Sequence, residues 1–188
     1  MNPTIARYRR ALDGVGDVLR RIPADRLRSP SPCPGWTTLH VLGHVIDGQR
    51  QIAALLTGDG PRAPRPDPLE LVTGDPEADW RAAYTSMREL LEVTDPNGLV
   101  PSHHGEVSAQ WVLATAVIEP LVHTWDLARA GGVEVSLDDE AVDACLAAVT
   151  PMAGRFAATG MYAPAVFLPG HTSPRQRLLG LLGRQDDV

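Results

Sequence analysis

The sequence contains no lysine: all seventeen of its basic residues are arginine. That absence excludes Schiff-base catalysis by a lysine amine. With abundant Ala, Gly and Pro, it reflects GC-rich coding sequence more than a demand for guanidinium groups. Cysteine is nearly as scarce, with only Cys33 and Cys145, far apart in the chain. A disulfide framework is therefore not expected, and a reduced, cytoplasmic setting is the default. No apolar run approaches the roughly 18 residues that a membrane-spanning helix needs. Met1 to Ile22 carries five Arg and no continuous apolar block, which does not read as a signal peptide. Seventeen basic residues against 23 acidic ones leave a net charge of −6, so no nucleic-acid footprint is expected. What is present is a hydrophobic content of 44% over 188 residues, enough for one domain, 1–188, with a sizeable core.

The apolar residues recur at helical spacing. Asn2-Pro3 reads as an N-cap with Pro at the first helical position, followed by Ile5, Tyr8, Leu12, Val15, Leu19 and Ile22 on one stripe, ended by Pro23. After a Pro-rich connection from Ser29 to Gly35, Thr37 and Thr38 are candidate caps for a second helix reaching Leu56. Its core face takes Leu39, Leu42, Val45, Ile46, Ile52 and Leu56. From Gly58 to Pro76 no apolar period survives, and the segment reads as a long crossover or lid loop. Asp79 is a candidate cap for a third helix to Val93, and Asp95-Pro96-Asn97-Gly98 is a turn. Leu99 to Val107, with His103 and His104, reads as an irregular link with solvated histidines. Ser108 caps a fourth helix, Ala109 to Ala130, closed by Gly131-Gly132. Pro120 in its interior removes the bond to Ala116 and should kink it. Ser136 is expected to cap a fifth helix through Met152, and 161–170 to be extended or irregular. Ser173-Pro174-Arg175-Gln176 opens a last short helix with a capping box. The expected fold is all-α, a four-helix bundle with an additional C-terminal helix and short tail.

One constellation in this pattern carries chemistry. Glu119 and His123 stand four apart in the apolar run from Trp111 to Ala128, on one helix face. A buried carboxylate and imidazole need partners. Bundle cores build metal sites from facing helices, and His44, inside the second helix, supplies a third candidate ligand. Two imidazoles and a carboxylate suit zinc with positions left for water or substrate; nickel, manganese and iron also accept this set. The alternative is a pair of satisfied core histidines with Glu119 hydrogen-bonded to one of them. His40, one turn before His44, is either a further ligand, a catalytic group or a histidine near the helix cap. Asp126, three residues beyond His123, is a candidate catalytic base or a group that orients the ligand imidazole. Cys33 lies just before a helix start, where the dipole favours thiolate, but a nucleophilic role needs a nearby base, and it reads as a turn residue. Cys145 reads as core, and Trp36, Trp111 and Trp125 as packing residues, with Trp125 beside the pocket. No nucleophile elbow supports a Ser-His-Asp triad.

Cys33-Pro34-Gly35-Trp36-Thr37, with His44 eight residues after Trp36, resembles the start of the second helix in the DinB-like metal-binding superfamily. The likeness is greater to its actinobacterial branch, related to the N-terminal domain of mycothiol-dependent maleylpyruvate isomerase. Glu119-x-x-x-His123-Thr124-Trp125-Asp126-Leu127-Ala128-Arg129-Ala130 matches that branch's second signature. The stretch from Tyr162 through Ser173-Pro174 to Arg184 is similar to its small single-domain members. The resemblance implies a DinB-type bundle holding a divalent metal, usually zinc, through His44, Glu119 and His123. It favours His44 over His40, whose position usually carries an acidic residue in such sequences. Pro120 is a departure from the expected signature.

Three functions follow from the resemblance and the residues. The first is an enzyme in which the metal activates a low-molecular-weight thiol, mycothiol or a similar one, for transfer or isomerisation. Maleylpyruvate isomerisation itself is not expected, since this chain stops where the isomerase continues into a further domain. The second is a hydrolase or cyclase acting through activated water or a polarised carbonyl, with His40 or Asp126 as base. The third is a non-catalytic metal- or small-molecule-binding stress protein. A small-molecule substrate or thiol is the expected partner, with no nucleic acid and no membrane; exposed bundle faces are compatible with a homodimer.

Overall fold

The computed structural model describes residues 2–152, 162–166 and 172–186. The chain divides into two compact units, Met1–Ser136 and Leu137–Val188. The first holds α1 (Pro3–Leu19), α2 (Thr38–Leu56), α3 (Pro76–Val93), a hairpin of β1 (Leu99–Ser102) and β2 (Gly105–Ser108), α4 (Ala109–Ala116) and α5 (Ile118–Gly131). The second holds α6 (Asp139–Val149) and α7 (Pro174–Leu181), packed on each other. The expected all-α class and four-helix bundle are borne out: α1 packs on α3, α4 and α5, and α2 packs on α3, α4 and α5.

Capping chemistry sets most of the boundaries. Asn2 Oδ1 accepts from Thr4 N at 2.9 Å and starts α1, which buries Ile5, Tyr8, Leu12, Val15 and Leu19 but ends at Leu19, so that Ile22, also buried, lies beyond it. The third helix begins earlier than expected. Asp75, not Asp79, is its cap, with Pro76 at the first helical position. Asp79 is instead spent on the preceding loop, accepting from Thr73 N at 2.7 Å. In the second unit Asp138 rather than Ser136 caps α6, which ends at Val149 before a single 3-10 turn, Thr150–Met152. The capping box at Ser173 and Gln176 forms as expected. The expectation for 161–170 lies partly outside the described residues. Within it, Tyr162 is buried against the Arg184 guanidinium.

Two elements differ from what the sequence leads one to expect. The link at Leu99–Val107 is an antiparallel hairpin whose two-residue turn is His103-His104, closed by Gly105 at φ 88°. A His-His pair replaces the usual Asn-Gly signal, which hides the turn. The helix expected over Ala109–Ala130 is two helices, interrupted at Val117. Proline lacks an N–H and crowds the carbonyl four residues back, here Ala116, so the break falls one turn before Pro120. Glu119 thereby lies in the first turn of α5, where a carboxylate is favoured by the helix dipole.

The loop after α2 is tied down rather than free. Buried Asp47 accepts from the Arg65 backbone N at 2.8 Å. Pro68–Leu71 forms a 3-10 turn against α2, so close that a Cβ on Gly43 would stand 2.1 Å from the Pro68 carbonyl oxygen. Gly43→Ala should therefore lower stability by about 1–3 kcal/mol through overpacking. A thermal melt read against Gly48→Ala, where a Cβ meets nothing, checks this.

Candidate metal centre

Three side chains from two helices converge inside the first unit. His44 comes from α2; Glu119 and His123 come from the first turns of α5. Glu119 Oε2 lies 3.1 Å from His44 Nε2 and 3.3 Å from His123 Nε2. The two imidazoles meet edge to face, with ring centroids 4.9 Å apart. The ligand atoms of this trio all lie within 4.8 Å of one another. Two nitrogen donors and one carboxylate oxygen form a donor set that fits a divalent ion of zinc type. The site is closed on the His123 side, whose side chain is 7% exposed, and open on the other, where His44 and Glu119 are 30% and 34% exposed.

Behind His123 sits Asp126, fully buried, with Oδ2 2.8 Å from His123 Nδ1. That contact puts a proton between Nδ1 and the carboxylate and turns Nε2 toward Glu119 and His44. In the metal-free protein burial opposes charge on His123. The bond to Asp126, then contacts with Cys33 and Glu119, outweigh that and hold its pKa well above the ordinary imidazole value.

His40 takes no part in this convergence. Its Nδ1 accepts from the Thr37 backbone N at 3.1 Å and lies 2.7 Å from Thr37 Oγ1, which makes it a capping partner at the start of α2. Trp36 borders the trio, its ring 5.1 Å from that of His44, and Trp125 is buried with the Arg129 guanidinium over its ring. Trp111, read as packing, is 44% exposed, its ring 5.9 Å from that of His104 on the hairpin turn.

One residue of the centre escaped the sequence reading. Cys33 Sγ lies 3.4 Å from Asp126 Oδ2, and Cys33, Asp126 and His123 form a second group of convergent ligand atoms. The local chain puts it there. Trp36 N donates to Cys33 O at 3.0 Å, and Gly35 takes φ 77°, so Cys33-Pro34-Gly35-Trp36 folds as a turn of type II character. Ser31 Oγ accepts from Cys33 N at 3.2 Å and fixes the approach. The signal available was the Pro-Gly turn; its target, 93 residues away, was not readable.

Residues 8–128 match the family model described as the mycothiol maleylpyruvate isomerase N-terminal domain. The chain belongs to that family. An uncharacterized protein of Mycobacterium tuberculosis is 30% identical over 189 residues, covering 98% of each chain. A second uncharacterized protein of that organism is 28% identical over 153 residues, covering 70% of this chain and 57% of that one. In fold, the chain is similar to the crystal structure of the mycothiol-dependent maleylpyruvate isomerase, with a TM-score of 0.60 at 18% identity over 81% of this chain and 71% of that one. A histidine-to-alanine mutant of that isomerase aligns with a TM-score of 0.54 at 17% identity, over 78% of this chain and 68% of that one. The DinB-like relation expected from the two signatures is therefore correct. No helix among the described residues is long and apolar enough to cross a membrane.

Proposed function

We propose that this chain is a metal-dependent enzyme that uses a low-molecular-weight thiol of the mycothiol type for transfer or isomerisation. The observation that carries the reading is Glu119 Oε2 placed between two histidine Nε2 atoms, at 3.1 and 3.3 Å, in a site open on one side. His44, Glu119 and His123 would hold the ion, with zinc first among the candidates. When bound, a divalent ion supplies Lewis acidity that makes a thiol far more acidic than it is in water. The protein's own groups do the rest. Asp126 holds the Nδ1 proton of His123, so the Nε2 lone pair faces the centre. Glu119 offsets positive charge, and the Trp36 ring beside His44 gives one wall apolar character. The thiol itself is supported by the family, whose named member is mycothiol-dependent.

The hydrolase or cyclase reading needs a general base, and the structure weakens both candidates. His40 Nδ1 is engaged at the α2 cap, and Asp126 is fully buried behind His123. Calorimetry separates the readings. Zinc-loaded protein should bind mycothiol in the micromolar-to-millimolar range, and the metal-free protein should bind it at least tenfold more weakly. Equal binding by both forms, or none by the loaded form, sinks the thiol role while leaving the metal centre standing.

A further inference from the structure

We propose that Cys33 is a positioning residue of the metal centre: its thiol, donated to Asp126, fixes the carboxylate that in turn orients His123. The inference deepens the metal-centre reading and is independent of which substrate or thiol the site takes.

Asp126 Oδ2 is shared by two neighbours, Cys33 Sγ at 3.4 Å and His123 Nδ1 at 2.8 Å. Neither can accept from an ionised carboxylate, so both must donate to it. Asp126 is fully buried on α5, and a buried carboxylate demands such donors. The two donors reach it from different directions in the fold: His123 from the preceding turn of its own helix, Cys33 from the turn that leads into α2. Since α2 carries His44, one short network ties together the segments that supply the candidate ligands. The chain Cys33–Asp126–His123 ends on the imidazole whose other nitrogen faces Glu119. Partners one bond removed from a metal typically alter affinity ten- to a hundredfold when they are deleted.

A competition titration against a zinc-chelating dye tests the role, using the full chain and the variants Cys33→Ala and Cys33→Ser. Serine keeps a donor at nearly the same place; alanine removes it. Alanine should weaken zinc binding about tenfold, whereas serine should stay within about threefold of wild type. In an Asp126→Leu background the Cys33→Ala change should have no further effect, because the partner through which it acts is gone. Circular dichroism of each metal-free variant confirms that folded protein is compared. Cobalt-loaded wild type supplies a spectroscopic readout: a d–d spectrum without a sulfur-to-cobalt charge-transfer band is expected. Serine failing as badly as alanine, alanine leaving affinity unchanged, or a charge-transfer band placing Cys33 on the metal would each overturn the proposal. Wild-type protein that binds neither zinc nor cobalt would overturn the metal centre and this inference together, whereas failure of mycothiol to bind touches neither.

Discussion

Glu119→Gln should lower zinc affinity about a thousandfold while leaving the metal-free protein folded. Structural zinc sites release about 10–16 kcal/mol on binding. Spread over three or four ligands, one anionic ligand represents roughly 3–5 kcal/mol, or close to three decades in dissociation constant. Glu119 is the residue to change because its Oε2 is the atom common to both histidines. An amide in its place keeps the shape, loses the charge and can turn a nitrogen donor toward the centre. The fold should tolerate this, since the Glu119 side chain is one-third exposed. His40→Ala is the contrasting case. It removes a cap contact at Thr37, costing about 0.5–2 kcal/mol of stability, and should move zinc affinity by less than about threefold. Chelator-buffered titration of the two variants reads both effects. Zinc affinity within tenfold of wild type for Glu119→Gln would remove the trio as a metal site.

The candidate trio was legible because helical spacing is a local rule. A spacing of four positions from Glu119 to His123 places both on one face whatever else the chain does, and His44 lay on a second apolar helix. Asp126 was legible for the same reason, one turn from His123. What the sequence concealed depended on contacts between distant segments or on backbone shapes with unusual residues. Cys33 meets Asp126 only because α2 and α5 pack side by side. The hairpin at 99–108 was disguised by histidines in its turn, with the left-handed conformation carried by Gly105 just after them. The loop after α2 looked free because a Pro- and Asp-rich stretch has no periodicity. Its anchors are Asp47 and the bare face of Gly43, and neither looks exceptional in a helical sequence.

Pro120 illustrates how a local rule becomes a site feature. The sequence predicted a kink; the structure makes the kink the start of a new helix with Glu119 in its first turn. An acidic side chain in a helix's first turn is favoured by the helix dipole, and the interruption puts Glu119 in that position beside two imidazoles. The departure from the expected signature is thus compatible with the trio, because the break falls on the N-terminal side of Glu119 and leaves the Glu119–His123 spacing intact.

The second large effect expected is on pH dependence, and it runs in opposite directions for the two states of the protein. In the metal-free protein the His123 pKa lies well above its ordinary value. A raised histidine contributes stability that is fully present below about pH 6.5, the unfolded value, and is lost as pH rises through the folded value. The slope reaches about 1.4 kcal/mol per pH unit for the one proton involved. Metal-free protein should therefore melt at lower temperature as pH climbs from 6 into the alkaline range. Zinc must displace a proton to reach His123 Nε2, so its affinity should rise across the same window by about tenfold per pH unit. The stabilisation conferred by zinc then grows with pH while the metal-free protein weakens. Asp126→Leu removes the largest contact raising His123, at 2.8 Å, and should flatten both slopes. The same change deletes one partner of a buried pair, which costs about 3–5 kcal/mol, so its melts are best read at pH 6 to 7. Thermal melts at several pH values, with and without zinc, measure all of this. Parallel, pH-independent curves for wild type would mean that His123 is neutral in the metal-free protein, with its pKa not raised by Asp126.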